Sequence, residues 1–268
     1  MIAAKFAFAS PATVRSLVDI DAYLERIGLP DRLGAALRLR ARALAHRGDA
    51  VQCPVCGHRF SVFRDDWNRA NALCWRCGSH ERHRALWLYL ERHPELLREA
   101  GSLLHFAPEW CLEQRLRRVQ GLRYVTADLD PGKGELELDI TAVAIADASF
   151  GAIICSHVLE HVHDDAAAMR ELHRVLRPGG WAIVMVPLDT HRASTYEDPA
   201  IVTLGQRELA YWQHDHVRLY TPDIAQRLST AGFTVSTERV AAQLGPELAR
   251  RYRLLDADYV FVCRRGST

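Results

Sequence analysis

The chain has almost no lysine: Lys5 and Lys133 are the only two, and arginine carries nearly all of its positive charge. It also has almost no net charge, +1 from 34 basic and 33 acidic side chains. A coat of positive charge for nonspecific nucleic-acid binding is therefore absent. No stretch approaches the roughly 20 uninterrupted apolar residues that cross a bilayer, and the apolar run at Met1–Ser10 is too short for a secretory signal. No internal repeat and no low-complexity tract is present. These absences predict a cytoplasmic protein without a membrane partner. With 49% hydrophobic and 25% charged residues, a disordered or collagen-like chain is excluded as well.

The neutral total conceals a division. Residues 1–100 carry 16 basic and 11 acidic side chains (+5), and residues 101–268 carry 18 and 22 (−4). The hydrophobic rhythm changes at the same point. From Pro11 to about Arg47 apolar residues recur at helical spacing, and Gly28-Leu29-Pro30-Asp31 divides that run into two helices with Asp31 as N-cap. Another helix is expected over Ala85–Leu97, interrupted at Pro94. After Gly101, strands at Leu103–Ala107, Arg123–Ala127, Leu136–Ile140, Ala152–Cys155 and Trp181–Pro187 alternate with helices, one running to Val119 and one over Asp165–Leu176. Such alternation predicts an α/β fold: a Rossmann-like, doubly wound, mainly parallel sheet with ligands beyond the carboxyl ends of its strands. A helix over Pro222–Ala231 and strands at Phe233–Thr237 and Asp258–Arg264 suit an antiparallel closing pair. The expected organisation is a helical N-terminal region over 1–100 and an α/β domain over 101–268 with an insertion at about 188–221.

Four of the seven cysteines form two pairs, Cys53-Pro-Val-Cys56-Gly and Cys74-Trp-Arg-Cys77-Gly, with 17 residues between them. In a reducing compartment this spacing predicts a zinc ribbon at about 51–79 rather than disulfides. Each pair makes a knuckle whose sulfurs converge, Gly57 and Gly78 permit the turns, and two knuckles complete a thiolate tetrahedron. With Cys53, Cys56, Cys74 and Cys77 filling every position, the Zn²⁺ would be structural. His58, His80 and His83 are alternative ligands. Arg76, Arg82 and Arg84 beside the knuckles read as a solvated basic face or as a grip on an anionic substrate. Cys111, Cys155 and Cys263 read as small core residues.

Phe150-Gly-Ala-Ile-Ile-Cys-Ser-His-Val-Leu-Glu-His-Val162 resembles the fourth-strand motif of class I S-adenosylmethionine (SAM)-dependent methyltransferases, in their small-molecule, type 11-like branch. Arg170-Glu-Leu-His-Arg-Val-Leu-Arg-Pro-Gly-Gly-Trp-Ala-Ile-Val184 resembles the following helix, turn and strand. Together with Asp139-Ile-Thr these segments cover about a third of the chain. The resemblance implies SAM as cofactor, with contacts from Ala107, Glu109, Asp128, Asp139, Ile140 and Ser156. Asp128, or Asp130 two residues on, would bind the ribose, Asp139 would face the adenine, and Glu109 could bond the cofactor's ammonium group. The sequence departs from the family at the first-strand loop, where His105-Phe-Ala-Pro-Glu-Trp-Cys111 replaces an acid and three glycines.

Methyl transfer needs positioning, and a base where the acceptor arrives protonated. His157 after strand four is the first candidate base and His216 the second. His161, Tyr211 and Arg218 are expected at the substrate, Arg218 as an anion clamp, and His163 in solvent. The dense segment Tyr211-Trp-Gln-His-Asp-His-Val-Arg-Leu-Tyr220 reads either as pocket wall or as a buried hydrogen-bonded network. His214 and His216 also suit a metal, but the sequence shows no third ligand. The acidic α/β part favours a small-molecule acceptor, a sugar or natural product. RNA methylation with the zinc module facing phosphate is the alternative, against which no aromatic-interleaved basic stripe is found. The third reading is a non-catalytic binding protein on the same fold.

Overall fold

The computed structural model describes residues 41–66 and 69–267. The helices expected between Pro11 and Arg47, with Asp31 as cap, lie outside the described residues apart from a last turn at 41–45. Four short strands follow: β1 (Arg47–Gln52) pairs antiparallel with β2 (Arg59–Phe60), and β3 (Arg64–Asp66) with β4 (Arg69–Leu73). One cysteine pair lies in the β1–β2 turn and the other just after β4. The two knuckles repeat the same backbone: Gly57 N–H donates to Cys53 O at 2.8 Å and Gly78 N–H to Cys74 O at 3.0 Å. Both glycines have positive φ, 76° and 68°, which explains their place after each pair.

Helix α1 (Glu81–Arg92) begins four residues earlier than periodicity suggested, because His83 Nδ1 accepts the His80 N–H at 3.1 Å and closes its first turn. Pro94 interrupts as expected and opens a new helix, α2 (Pro94–Ala100). The large sheet is then laid down by β5 (Ser102–Phe106), α3 (Trp110–Leu116), β6 (Arg123–Asp128), β7 (Leu136–Glu137), β8 (Phe150–Ser156), α4 (Asp165–Val175) and β9 (Leu176–Met185). Helices α5 (Leu204–Tyr211) and α6 (Ile224–Thr230), strand β10 (Thr234–Glu238), helices α7 (Val240–Leu244) and α8 (Pro246–Tyr252) and strand β11 (Val260–Arg264) complete it.

Seven strands run in the order β10-β11-β9-β8-β5-β6-β7. The five from β7 to β9 are parallel, and β11 alone runs against its neighbours. The sheet is Rossmann-like, with the antiparallel closing pair in place. The third expected strand is shorter than its apolar pattern: Leu138 leaves the ladder and its N–H bonds to Asp128 O at 3.0 Å, so Leu136–Ile140 contributes only two sheet residues.

The central strands are buried on both faces, as parallel strands under helices are. Leu103, Ile154 and Ile183 point to one core, and Leu104, Ile153 and Val184 to the other. The first core also contains Cys53, Phe60, Cys74 and Leu86, so the cysteine region is packed onto the sheet. Arg84 is fully buried and neither solvated nor free for an anion. Its guanidinium donates to the carbonyls of Ala72, Ser79, Tyr252 and Arg253 at 2.7–3.0 Å and lies 4.6 Å over the Phe63 ring, joining the knuckles to α8. Cys111, Cys155 and Cys263 are buried core residues.

Candidate active site

The chain leaves β5 for β6 and β7 on one side and returns to β8 and β9 on the other, so the order reverses between β5 and β8. Such a switch point opens a crevice at the carboxyl ends of the strands. A cavity of about 810 Å³ lies there, within the size range of small-ligand sites. Phe106 and Ala107 after β5 form one wall, Asp128, Leu129 and Asp130 after β6 a second, and Leu138–Thr141 the floor. His157, Val158 and the segment His161–Asp164 close the β8 side, and Asp215 reaches in from the long 188–221 connection.

Of the residues singled out in sequence, Ala107, Asp128, Asp130, Asp139, Ile140, His157, His161 and His163 line this one cavity. Ala107 has a φ of 47°, the left-handed conformation that glycine adopts freely at such loops. Asp128 Oδ1 accepts the Asp130 N–H at 2.9 Å, which leaves Oδ2 for a ligand. Asp139 Oδ1 takes the Thr141 N–H and hydroxyl at 2.8 and 2.7 Å. Those bonds hold its carboxyl below the usual range, and it is as much a turn residue as a ligand contact. His157 also has a left-handed backbone, φ 54°, fixed by its N–H donating to Met185 O at 2.8 Å. Strain of this kind gathers at functional sites. Burial pushes the His157 imidazole down, with Glu160 opposing.

The other candidates lie elsewhere. Ser156 is buried with its hydroxyl unpartnered. Tyr211 is buried, its hydroxyl accepting the Asp198 N–H at 2.9 Å. Arg218 is no anion clamp: it donates to Glu197 at 2.8 Å and to the carbonyls of Leu159, Val162 and His163, so its donors are used in holding the 188–221 connection. His163, by contrast, is exposed where the cavity meets solvent. His216 is buried behind the cavity wall, its Nδ1 2.8 Å from Tyr211 O.

Glu109 caps α3 outside the cavity. Its Oε2 lies 3.0 Å from His105 Nε2 and its Oε1 3.4 Å from His83 Nε2. Burial would raise its pKa, but the bond from His105 and the nearness of His83 outweigh burial and hold the carboxyl well below the usual carboxylate range. Sequence reasoning missed this use of His83 and His105, and it missed Glu160, although that acid stands within the quoted Leu-Glu-His-Val run, three residues after His157.

The four knuckle sulfurs lie within 4.8 Å of one another. Cys53 Sγ is 3.6 Å from Cys77 Sγ, and Cys56 Sγ is 3.7 Å from Cys74 Sγ. A tetrahedron with Zn–S bonds of about 2.3 Å has edges of about 3.8 Å. The donor set fits zinc.

Residues 112–184 match a family described as a methyltransferase domain. A curated relative, the ubiquinone biosynthesis O-methyltransferase of Paracidovorax citrulli (strain AAC00-1), is 29% identical over 150 residues, 52% of this chain and 60% of the relative. The chain thus spans less than two thirds of that relative's length. Among solved structures, similarity extends to the Burkholderia thailandensis 1,6-didemethyltoxoflavin-N1-methyltransferase with 1,6-didemethyltoxoflavin and S-adenosylhomocysteine bound (TM-score 0.47, 20% identity, covering 69% of this chain and 78% of that one). It extends also to a SAM-dependent methyltransferase from Archaeoglobus fulgidus (TM-score 0.48, 14% identity, 69% and 95%).

Proposed function

We propose that this chain, a class I SAM-dependent methyltransferase by family match and sheet order, methylates a hydroxyl of a small molecule. The observation that carries the reading is one cavity at the switch point with Asp128, Asp139 and His157 on its walls. The cofactor, when bound, supplies a methyl group on a positively charged sulfur. Asp128 would accept bonds from the ribose hydroxyls, Asp139 and Ile140 would hold the adenine side, and Ala107 leaves room for close approach. His157, kept neutral by burial, would take the acceptor's proton near neutral pH. His161 and Asp215 would face the acceptor. The relative's name, an O-methyltransferase, supports oxygen as the acceptor atom. We assign the four-sulfur cluster to a structural zinc, since cysteine fills every ligand position.

Calorimetry tests the reading. SAM and S-adenosylhomocysteine should both bind the full chain, and Asp128→Ala should weaken each at least tenfold, on the order of 1.4 kcal/mol. No heat with either ligand overturns it.

A further inference from the structure

Behind His157 the fold gathers a second set of ligating atoms. One such atom from each of Glu160, His161 and His216 lies within 4.8 Å of the other two. Glu160 and His161 belong to the 3₁₀ turn Leu159–His161 after β8, and His216 to the connection between α5 and α6. His216, for which the sequence showed no further partners, thus meets two, whereas His214 is outside the group.

Glu160 is 1% exposed, and among the described residues neither carboxylate oxygen has a hydrogen-bond partner. His157 Nδ1 stands 3.3 Å from Oε1 without bonding geometry. Buried carboxylates are normally satisfied, so this one is short of a partner. One histidine is fixed by a hydrogen bond and the other stands beside a carboxylate. His216 Nδ1 is held by Tyr211 O at 2.8 Å and His161 Nδ1 faces Asp215 Oδ2 at 3.3 Å; among the described residues the other nitrogen of each ring has no hydrogen-bond partner. Outer partners of this kind, a carbonyl and a carboxylate, orient metal-binding histidines.

We infer that Glu160, His161 and His216 form a site for a first-row divalent cation at the acceptor side of the cavity. Two imidazoles and one carboxylate suit zinc, iron or nickel better than magnesium or calcium. Three protein ligands leave open positions, and His161 also lines the cavity, so acceptor oxygens reach the cation from there. A bound hydroxyl would lose its proton more readily, and an acceptor with two adjacent oxygens would chelate. This acceptor role rests on the methyl-transfer reading; the cation site does not.

The test counts metal. The full chain, Glu160→Gln and His161→Gln are equilibrated with excess Zn²⁺, freed of unbound ion and analysed for zinc per chain. Wild type should hold one zinc more than either variant, whatever the cysteines hold. Equal counts overturn the site. His161 is partly exposed, so its variant keeps the test valid should Glu160→Gln fail to fold. Catechol, as a two-oxygen probe, should bind zinc-loaded wild type at least tenfold more tightly than His161→Gln. Equal catechol affinity overturns the acceptor role alone, and SAM calorimetry reports separately on the methyltransferase reading.

Discussion

Glu109 and Glu160 follow adjacent strands, β5 and β8, and each stands among histidines, yet one cluster is closed by a bond from His105 while the other, with neither carboxylate oxygen bonded, is open. Around Glu109 the near nitrogens do the work. His105 Nε2 bonds one oxygen while its Nδ1 reaches Tyr124 Oη at 2.9 Å. His83 Nε2 stands 3.4 Å from the other oxygen without bonding geometry, and its Nδ1 accepts the His80 N–H. The circuit, from Tyr124 through His105 to Glu109, ties β6, β5 and the start of α3 together. Around Glu160, His216 is tied through Nδ1 to Tyr211 O, His161 Nδ1 stands 3.3 Å from Asp215, and neither carboxylate oxygen has a hydrogen-bond partner among the described residues. Burial opposes the charge of both glutamates, and neighbouring histidines hold both carboxyls below their ordinary value. The same residue types therefore make a brace in one place and a ligand set in the other, according to whether a histidine bonds the carboxylate.

The most severe way to break the contrast is to undo the closed side at its root. His83 is on α1, six residues after Cys77, and the knuckles share a core with the sheet. Cys74→Ser should lower the melting temperature by more than 10 °C, on the order of several kcal/mol at roughly 2–4 °C per kcal/mol for a chain of this size. A strong chelator should do the same to wild type. Next come the two isosteric neutralisations, read by urea unfolding of metal-free strand-end sites. Glu109→Gln removes a charge-assisted bond and should cost roughly 1.5–3 kcal/mol. Glu160→Gln removes no hydrogen bond and should cost less than Glu109→Gln, under roughly 1 kcal/mol. Equal losses would erase the distinction.

Much of this was legible from residue order alone. The knuckles were, because two C-x-x-C-G repeats leave few other chemistries. The parallel sheet was too, because apolar runs such as Ala152–Cys155 are buried on both faces and show it in composition. Asp128, Asp139 and His157 could be placed in one cavity because strand ends are local in sequence. The clusters could not. His83 lies 26 residues from Glu109, and His216 lies 56 from Glu160; only the crossing of the sheet joins them. Arg218 misled for the same reason: an arginine reads as an anion grip until the carbonyls of Leu159, Val162 and His163 are seen around it.

A smaller effect separates the histidines of the closed side. Burial, with Arg82, His83 and Arg69 adding and Asp66 opposing, pushes His80 down to about 3. Burial also lowers His83, against Glu109. Both folded values lie below the unfolded value near 6.5, so the unfolded chain takes up protons first as pH falls. Their contribution is complete above about 6.5 and is lost on acidification, by at most about 1.4 kcal/mol per pH unit for each histidine, less for partly exposed His80. Asp258 works oppositely: burial raises it to about 7, so its contribution is complete below about 4 and is lost as pH rises through 7. The readout is therefore a difference between variants. His80→Asn should flatten the fall in stability between pH 6.5 and 5, and an unchanged slope would show that α1 is not held by neutral histidines.

The smallest effect concerns Ala107, which stands between His105 and Glu109 and has the φ of 47° where a glycine would be at ease. A left-handed alanine costs about 1–2 kcal/mol, and glycine's extra freedom in the unfolded chain returns about 0.5–1 kcal/mol of that. Ala107→Gly should therefore stabilise the fold by between about 0 and about 1.5 kcal/mol, with SAM affinity unchanged or slightly improved. The informative measurement is the double variant. If the closed circuit, and not the residue at 107, holds the loop, the same Ala107→Gly change should cost affinity for SAM once Glu109→Gln has opened the circuit, because a glycine then has nothing to restrain it. Additive effects on binding would mean that Glu109 braces α3 alone and leaves the loop to shape itself.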